Sequence, residues 1–320
     1  MRKQMIGSYF LAVMLFAAGC SNTNDDATQG SESPVEETEE ETNGTGLDFE
    51  GDGGLLWKVV HGQTTMFVQG TIHLGHEDFY PLAPEIEDAY ESSDVVLPEI
   101  NMFEAEVNEE EINEMALFED DTNLHDVLSE ESYAKLSNLF DENEMAIEDY
   151  EDFEPWFIGM LLGEFSHKES ELAPEYGVDL YFLQRSLEDN KEIVELETID
   201  MQYDVLSGNS METQVEMLES TIEDFEETGS SLDQLGYDWI HGDTDGLVAQ
   251  LAKGFGSFDE EYQPELNDNR NINMANKLDE ILQMDDGQTY FVIIGSAHVV
   301  IEPSVLSELE EDGYEIERVY

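Results

Sequence analysis

The chain's 320 residues suffice to close a sizeable apolar core, and its 40% hydrophobic and 10% aromatic content marks a globular protein rather than a disordered one. Against 78 Asp and Glu stand only 11 Lys and Arg, a formal net charge of -67 at pH 7. Such a surface repels nucleic acid and anionic lipid headgroups, and its self-repulsion opposes close assembly in dilute salt; oligomeric state has no signature of its own in the chain.

Residues 1–19 read as a secretory signal. Arg2 and Lys3 precede an apolar run from Tyr9 to Ala18, shorter than the roughly 20 residues of a spanning helix. Ala17, Ala18 and Gly19 before Cys20 resemble a bacterial lipoprotein processing box, with Ala17 standing where Leu is usual. The expectation is a diacylated Cys20 at the new N-terminus, anchoring the protein at the extracytoplasmic face of the membrane through lipid alone. An ordinary cleaved signal that happens to hold a cysteine is the alternative. The chain has no other Cys, which excludes disulfides, thiolate metal sites and a cysteine nucleophile. Residues 20–50 are dominated by Ser, Thr, Gly, Pro and Glu and have no apolar face to bury, so they read as an acidic, solvated tether. Residues 51–320 read as the folded domain.

Within that domain Thr64 to Gln69, between Gly62 and Gly70, is the first strand-like segment. A helix from Pro84 to about Ser92 and a strand from Asp94 to Leu97 follow, a strand-helix-strand unit whose strands must be parallel. Apolar residues at three- and four-residue spacing predict helices over Glu131–Asn143, Pro155–Glu164, Asp179–Asp189, Ser210–Glu226, Asp243–Phe255 and Asn271–Leu282, with polar faces of Glu and Asp. Glu192 to Leu196 reads as a short strand. Thr289 to Ile294 is a continuous apolar run, as in a strand buried on both faces. A helix near Pro303 to Glu311 and a strand over Tyr314 to Tyr320 close the chain. The expected fold is one α/β domain with a mostly parallel sheet, flanking helices and a helical insertion between its first and last strands.

Both of the clearest strands end in the same pattern, Gly70-Thr71-Ile72-His73 and Gly295-Ser296-Ala297-His298. With 24 Gly and 7 His in the chain, two such matches carry little weight as bare patterns. Their position carries more, because functional groups of parallel α/β sheets collect beyond the carboxyl ends of strands. The glycine lets the backbone turn off the strand and approach closely, so that the histidine is aimed back over the sheet edge. Glu99 follows the Asp94 to Leu97 strand, so three parallel neighbours would bring His73, Glu99 and His298 together. Two imidazoles and a carboxylate suit Zn²⁺, Mn²⁺, Co²⁺ or Fe²⁺ and metal-assisted hydrolysis. Glu99 is then the third ligand, or the general base beside a metal held by the histidines. The competing reading is two structural histidines and an ordinary glutamate. His61, His76, His125, His167 and His241 have no matching partners and read as structural, and Asp243-Thr244-Asp245-Gly246 as a helix-start turn rather than a calcium loop.

Gly70 to Gly75, Phe79-Tyr80-Pro81-Leu82, Val95 to Glu99, Tyr176-Gly177-Val178-Asp179, Leu196-Glu197-Thr198, Arg270-Asn271 and Tyr290 to His298 together resemble the TraB/GumN family, over about Leu55 to Tyr320. That family is related to the Tiki metalloproteases, and through them to erythromycin-esterase-like and ChaN-like proteins. The resemblance implies their shared α/β fold, metal ligation by His73, His298 and Glu99, and Mn²⁺ or Co²⁺ supporting peptide cleavage. It also implies Arg270 as a site residue, either clamping a substrate carboxylate or developing oxyanion, or forming a helix-start ion pair. Asn101 departs from the Asp common at that place in the family. Asp179 and Glu197 are candidate acceptors that orient the histidines, with helix capping an equal account of Asp179. The expected function is a lipid-anchored, metal-dependent hydrolase of peptides. A surface protein of the same fold that sequesters a peptide signal, as the pheromone-shutdown members suggest, is the rival. The acidic coat itself reads as adaptation to concentrated salt.

Overall fold

The computed structural model describes residues 46–105, 109–256 and 267–320, so the signal, Cys20 and most of the tether lie outside the described residues. Strands Leu56–His61 (β1), Thr64–Thr71 (β2), Val95–Pro98 (β3), Glu192–Ile193 (β4), Thr289–Gly295 (β5) and Ile316–Arg318 (β6) form one sheet in the order β4-β3-β5-β2-β1-β6. β4, β3, β5 and β2 run parallel, whereas β1 is antiparallel to both β2 and β6. The sheet is thus mixed, with three of its five strand pairings parallel. The unanticipated strand is β1, whose Lys58 and His61 interrupt its apolar pattern. It is joined to β2 by a two-residue loop, with Gly62 at φ 56° supplying the positive φ that such hairpins need.

Pro84–Glu91 (α1) links β2 to β3, which are parallel as expected but separated by β5. Glu109–Met115 (α2), Leu124–Val127 (α3), Glu130–Glu142 (α4), Pro155–Ser166 (α5) and Val178–Glu188 (α6) stand between β3 and β4. Ile199–Ser207 (α7), Met211–Glu223 (α8), Phe225–Ile240 (α9), Thr244–Gly256 (α10) and Asn269–Gln283 (α11) stand between β4 and β5, and Ala297–Val300 (α12) and Val305–Glu311 (α13) before β6. α2, α3, α7, α9 and α12 have no counterpart among the helices expected from the sequence.

Alternation along the strands sorts their side chains onto two faces. Val96, Phe291 and Ile293 join one cluster with residues of α1, α6 and α9, including Ile86, Phe182 and Trp239. Val95, Leu97, Val292 and Ile294 join another with Met274 and Leu278 of α11 and Leu309 of α13. A strand covered on both faces needs no polar positions, which explains the unbroken run of β5. A third cluster, away from the sheet, gathers Leu136 and Phe140 of α4, most of α5, Tyr203 and Leu206 of α7, and Leu218 of α8. α5 is its centre and is apolar nearly all round, with Glu164 its one acid, so the expected acidic face is missing there. Each Leu or Phe side chain fully buried in these clusters stabilises the fold by roughly 1.5–3 kcal/mol.

Candidate functional site

The parallel register levels three strand ends: Thr71 of β2 lies opposite Gly295 of β5, and Pro98 of β3 opposite Ile293. His73 follows β2 by two residues, Glu99 follows β3 directly, and His298 sits on α12 just past β5. The backbone N–H and hydroxyl of Ser296 both donate to the Thr71 carbonyl at 2.8 Å, pinning the two histidine-bearing segments together. Gly70 permits this crowding, since a Cβ there would stand 2.8 Å from Val299 of α12.

Each histidine is oriented from behind. His73 Nδ1 lies 2.9 Å from Asp179 Oδ2, at the start of α6. Gly177 makes that approach possible, because a Cβ on it would meet the His73 carbonyl oxygen at 2.5 Å. Burial works to lower the His73 pKa, but the Asp179 charge and hydrogen bond, helped by Glu99, leave it raised. His298 is fully buried, and its Nδ1 lies 2.5 Å from Asn271 Oδ1 on the first turn of α11. The amide nitrogen of Asn271 donates to the Pro303 carbonyl at 2.7 Å, so its oxygen must face the imidazole. Burial, followed by the Arg270 guanidinium, pushes the His298 pKa down to about 3, which keeps the ring neutral. In the neutral form of each ring an engaged Nδ1–H leaves the lone pair on Nε2, the arrangement common to metal-binding imidazoles.

The carboxylates form a buried network. The short ladder of β4 continues past its last residue: Leu196 N–H donates to Pro98 O at 2.8 Å and Glu197 N–H to Glu99 O at 2.7 Å, placing the two glutamates side by side. Arg270 bridges them, with Nη2 2.6 Å from Glu197 Oε2 and 3.0 Å from Glu99 Oε2, and Nε 2.9 Å from Glu197 Oε1. Burial opposes its charge, but the two carboxylates more than compensate and raise its pKa. Gln202 of α7 donates to Glu197 at 3.2 Å, with a longer contact to Glu99. Glu99 Oε1 also accepts from the Gly295 backbone N–H and lies 3.8 Å from His298 Nε2.

These observations locate every predicted site residue of the folded domain. His73, Glu99, His298, Asp179, Glu197 and Arg270 converge, although Glu197 engages Arg270 rather than an imidazole. Asn271 and Gln202 are the neighbours that sequence reasoning missed; Asn271 was visible only as the residue beside Arg270. His76 accepts from the Asp78 backbone and packs 5.2 Å from the Phe49 ring, and Asp243 caps the turn that opens α10 through Gly246. A cavity of about 40 Å³ adjoins the site, its lining including Thr71, His73, Glu99, Asp179, Gln202 and Arg270.

The donor chemistry fits a divalent ion. The Nε2 of His298 is buried with no hydrogen-bond partner among the described residues, and it faces a carboxylate oxygen. Glu99, Glu197 and Asp179 outnumber the one guanidinium, so a cation would complement the local charge. Among the described residues, no group of three or more His, Cys, Asp and Glu side chains is gathered closely enough to enclose an ion.

An α/β domain with two oriented histidines and a buried carboxylate pair at the carboxyl ends of neighbouring parallel strands is the class that fold and site define. Residues 55–318 match the model of the TraB/PrgY/gumN family, and the chain belongs to that family. It is 25% identical over 177 residues to a protein of Treponema pallidum (strain Nichols) described as an uncharacterized protein, a match covering 52% of this chain and 51% of that one. The chain thus spans about half the length of this relative. No solved structure matches the chain.

Proposed function

We propose that the protein is a metal-dependent hydrolase of peptides, held at the extracytoplasmic face of the membrane by a diacylated Cys20. The observation that carries the reading is the pair of imidazoles, each with Nδ1 engaged from behind, together with the unpartnered Nε2 of His298 beside Glu99. His73 and His298 would hold the ion through Nε2, with Glu99 as third ligand or as base. Family resemblance favours Mn²⁺ or Co²⁺, and the donor set also suits Zn²⁺ or Fe²⁺. A bound ion would acidify a water and polarise the scissile carbonyl. Asp179 and Asn271 fix the two rings. Arg270, committed to Glu99 and Glu197, holds Glu99 in place and balances its charge rather than reaching for substrate. The fold is proposed to be that of the Tiki-like, erythromycin-esterase-like and ChaN-like proteins, with the helices around α5 as its insertion.

Metal content after loading and dialysis tests the site. Wild type should retain Mn, Co, Zn or Fe stoichiometrically and the His73→Ala/His298→Ala variant should not; equal and negligible retention would reject it. Turnover of a peptide library with and without that metal then tests the activity. One observation favours a peptide-binding protein instead: both Glu99 oxygens already accept hydrogen bonds, from Gly295, Arg270 and Gln202. Metal retention with saturable peptide binding and no cleavage would select that reading. The described residues contain no helix long and apolar enough to cross a membrane, and lipidation is tested by the mass of the mature N-terminus and its loss in Cys20→Ala.

A further inference from the structure

We propose that the cavity beside the histidines is a subsite for a small, uncharged apolar side chain of the substrate, an assignment that rests on the hydrolase reading above. Besides its polar residues the cavity is lined by apolar ones, Ile100 and Met102 after β3, Leu183 of α6, and Val205 and Leu206 of α7. These residues come from three separate segments and converge next to Glu99. The charged groups that line the cavity are already paired in part, Glu99 with Arg270 and Asp179 Oδ2 with His73. A lysine or arginine side chain is too long for the cavity and would be desolvated against its apolar residues, and an anionic one would meet the carboxylates of Glu99 and Asp179. Either would suffer the cost of a buried, unpaired charge, which a neutral apolar group avoids.

Size narrows the choice. A cavity of about 40 Å³, against the roughly 10–15 Å³ that one water needs, admits about three water-sized groups. That suits alanine or valine and excludes an aromatic ring. A second observation points to the backbone around such a side chain. Thr71 lines the same cavity and is 1% exposed, and its buried hydroxyl has no hydrogen-bond partner among the described residues. Buried hydroxyls are rarely left unpaired, and the amide group next to the occupant's side chain would supply the missing partner. Apolar lining residues together with an unpaired buried hydroxyl are thus complementary to one residue of a peptide, side chain and adjoining amide together.

The test titrates blocked tripeptides, identical except for a central Ala, Val, Phe, Lys or Asp, against the full chain in the presence of Mn²⁺, with binding and turnover measured separately. Ala and Val peptides should bind at least roughly tenfold more tightly than the other three, as the filling of a small apolar pocket predicts. Met102→Ala should move the preference toward Phe, and Val205→Phe should remove binding of Ala and Val alike. Both positions are partly exposed, and the far-ultraviolet spectrum and metal content of each variant report whether it has folded. Thr71→Val, nearly isosteric, should weaken every peptide about equally without altering the order. Equal affinities across the series, no binding by any member, or a preference indifferent to both wall variants would overturn the subsite. Selective binding without turnover would sink the hydrolase reading alone, and turnover without selectivity the subsite alone.

Discussion

His298 turns its Nδ1 to Asn271 Oδ1 at 2.5 Å, while the amide nitrogen of the same asparagine donates to the Pro303 carbonyl at 2.7 Å. The asparagine therefore sets the tautomer of a fully buried ring without adding a charge. Replacing it by leucine removes the acceptor and frees the ring to turn. Asn271→Leu should lower metal affinity about 10–100-fold, the range typical of residues that orient ligands. Competition with a chelator measures this, and an unchanged affinity would show that Asn271 does not orient a ligand.

Arg270 is the sole guanidinium between two glutamates that are themselves almost fully buried. Arg270→Met would leave their charges facing each other unpaired, and should cost about 3–5 kcal/mol in urea denaturation. Adding Glu197→Gln should recover part of that loss, because one of the two buried charges disappears. A double variant no more stable than the single one would contradict this account. Arg270→Lys keeps the charge but loses the planar fork, and should lie between the two.

Glu164 and His167, near the end of α5, titrate in opposite senses. Burial raises the Glu164 pKa from its ordinary 4.5 to about 7, against a smaller opposing pull from Lys168. Its contribution to stability is complete below 4.5 and is lost as pH rises through 7. Burial lowers the His167 pKa from 6.5 to about 4, so its contribution is present above 6.5 and is lost as pH falls toward 4. Between about 4.5 and 6.5 the two slopes oppose each other. Glu164→Gln should therefore make the urea midpoint climb more steeply from pH 4 to 6.5, and His167→Gln should expose a decline toward pH 7. Two variants with the wild-type profile would disprove the assignment.

The acidic surface carries its own prediction. Burial and the neighbouring charges of Glu311, Asp312 and Glu302 raise the Glu308 pKa, and Glu223 and Glu227 similarly contribute at Asp224. Salt screens such repulsion, with a Debye length near 3 Å at 1 M. The Tm should rise from low to molar NaCl, and a flat Tm would remove the case for adaptation to salt.

Local pattern alone determined a good deal here. The unbroken apolar run Tyr290 to Ile294 could only be a strand covered on both sides, and the three- and four-residue spacing placed most of the helices within a few residues. The position of the two Gly-x-x-His segments after strands located His73, Glu99 and His298 before any fold was known. Those signals are legible because they repeat over distances that the local backbone geometry itself dictates.

Strand neighbours were beyond such reading. That β5 lies between β2 and β3, and that β1 closes the sheet with β6, depends on contacts between segments 195 or more residues apart. Asn271, Gln202 and Thr71 are ordinary polar residues in the linear chain, and acquire meaning only from what faces them. Arg270 shows the same limit: its charge was evident in the sequence, but its commitment to two adjacent glutamates was not. Sequence periodicity reports which face of an element is buried. Which side chain waits on the other side of that face is decided by packing, because the free energy of pairing Arg270 with Glu99 and Glu197 exists only once the chain has closed around them.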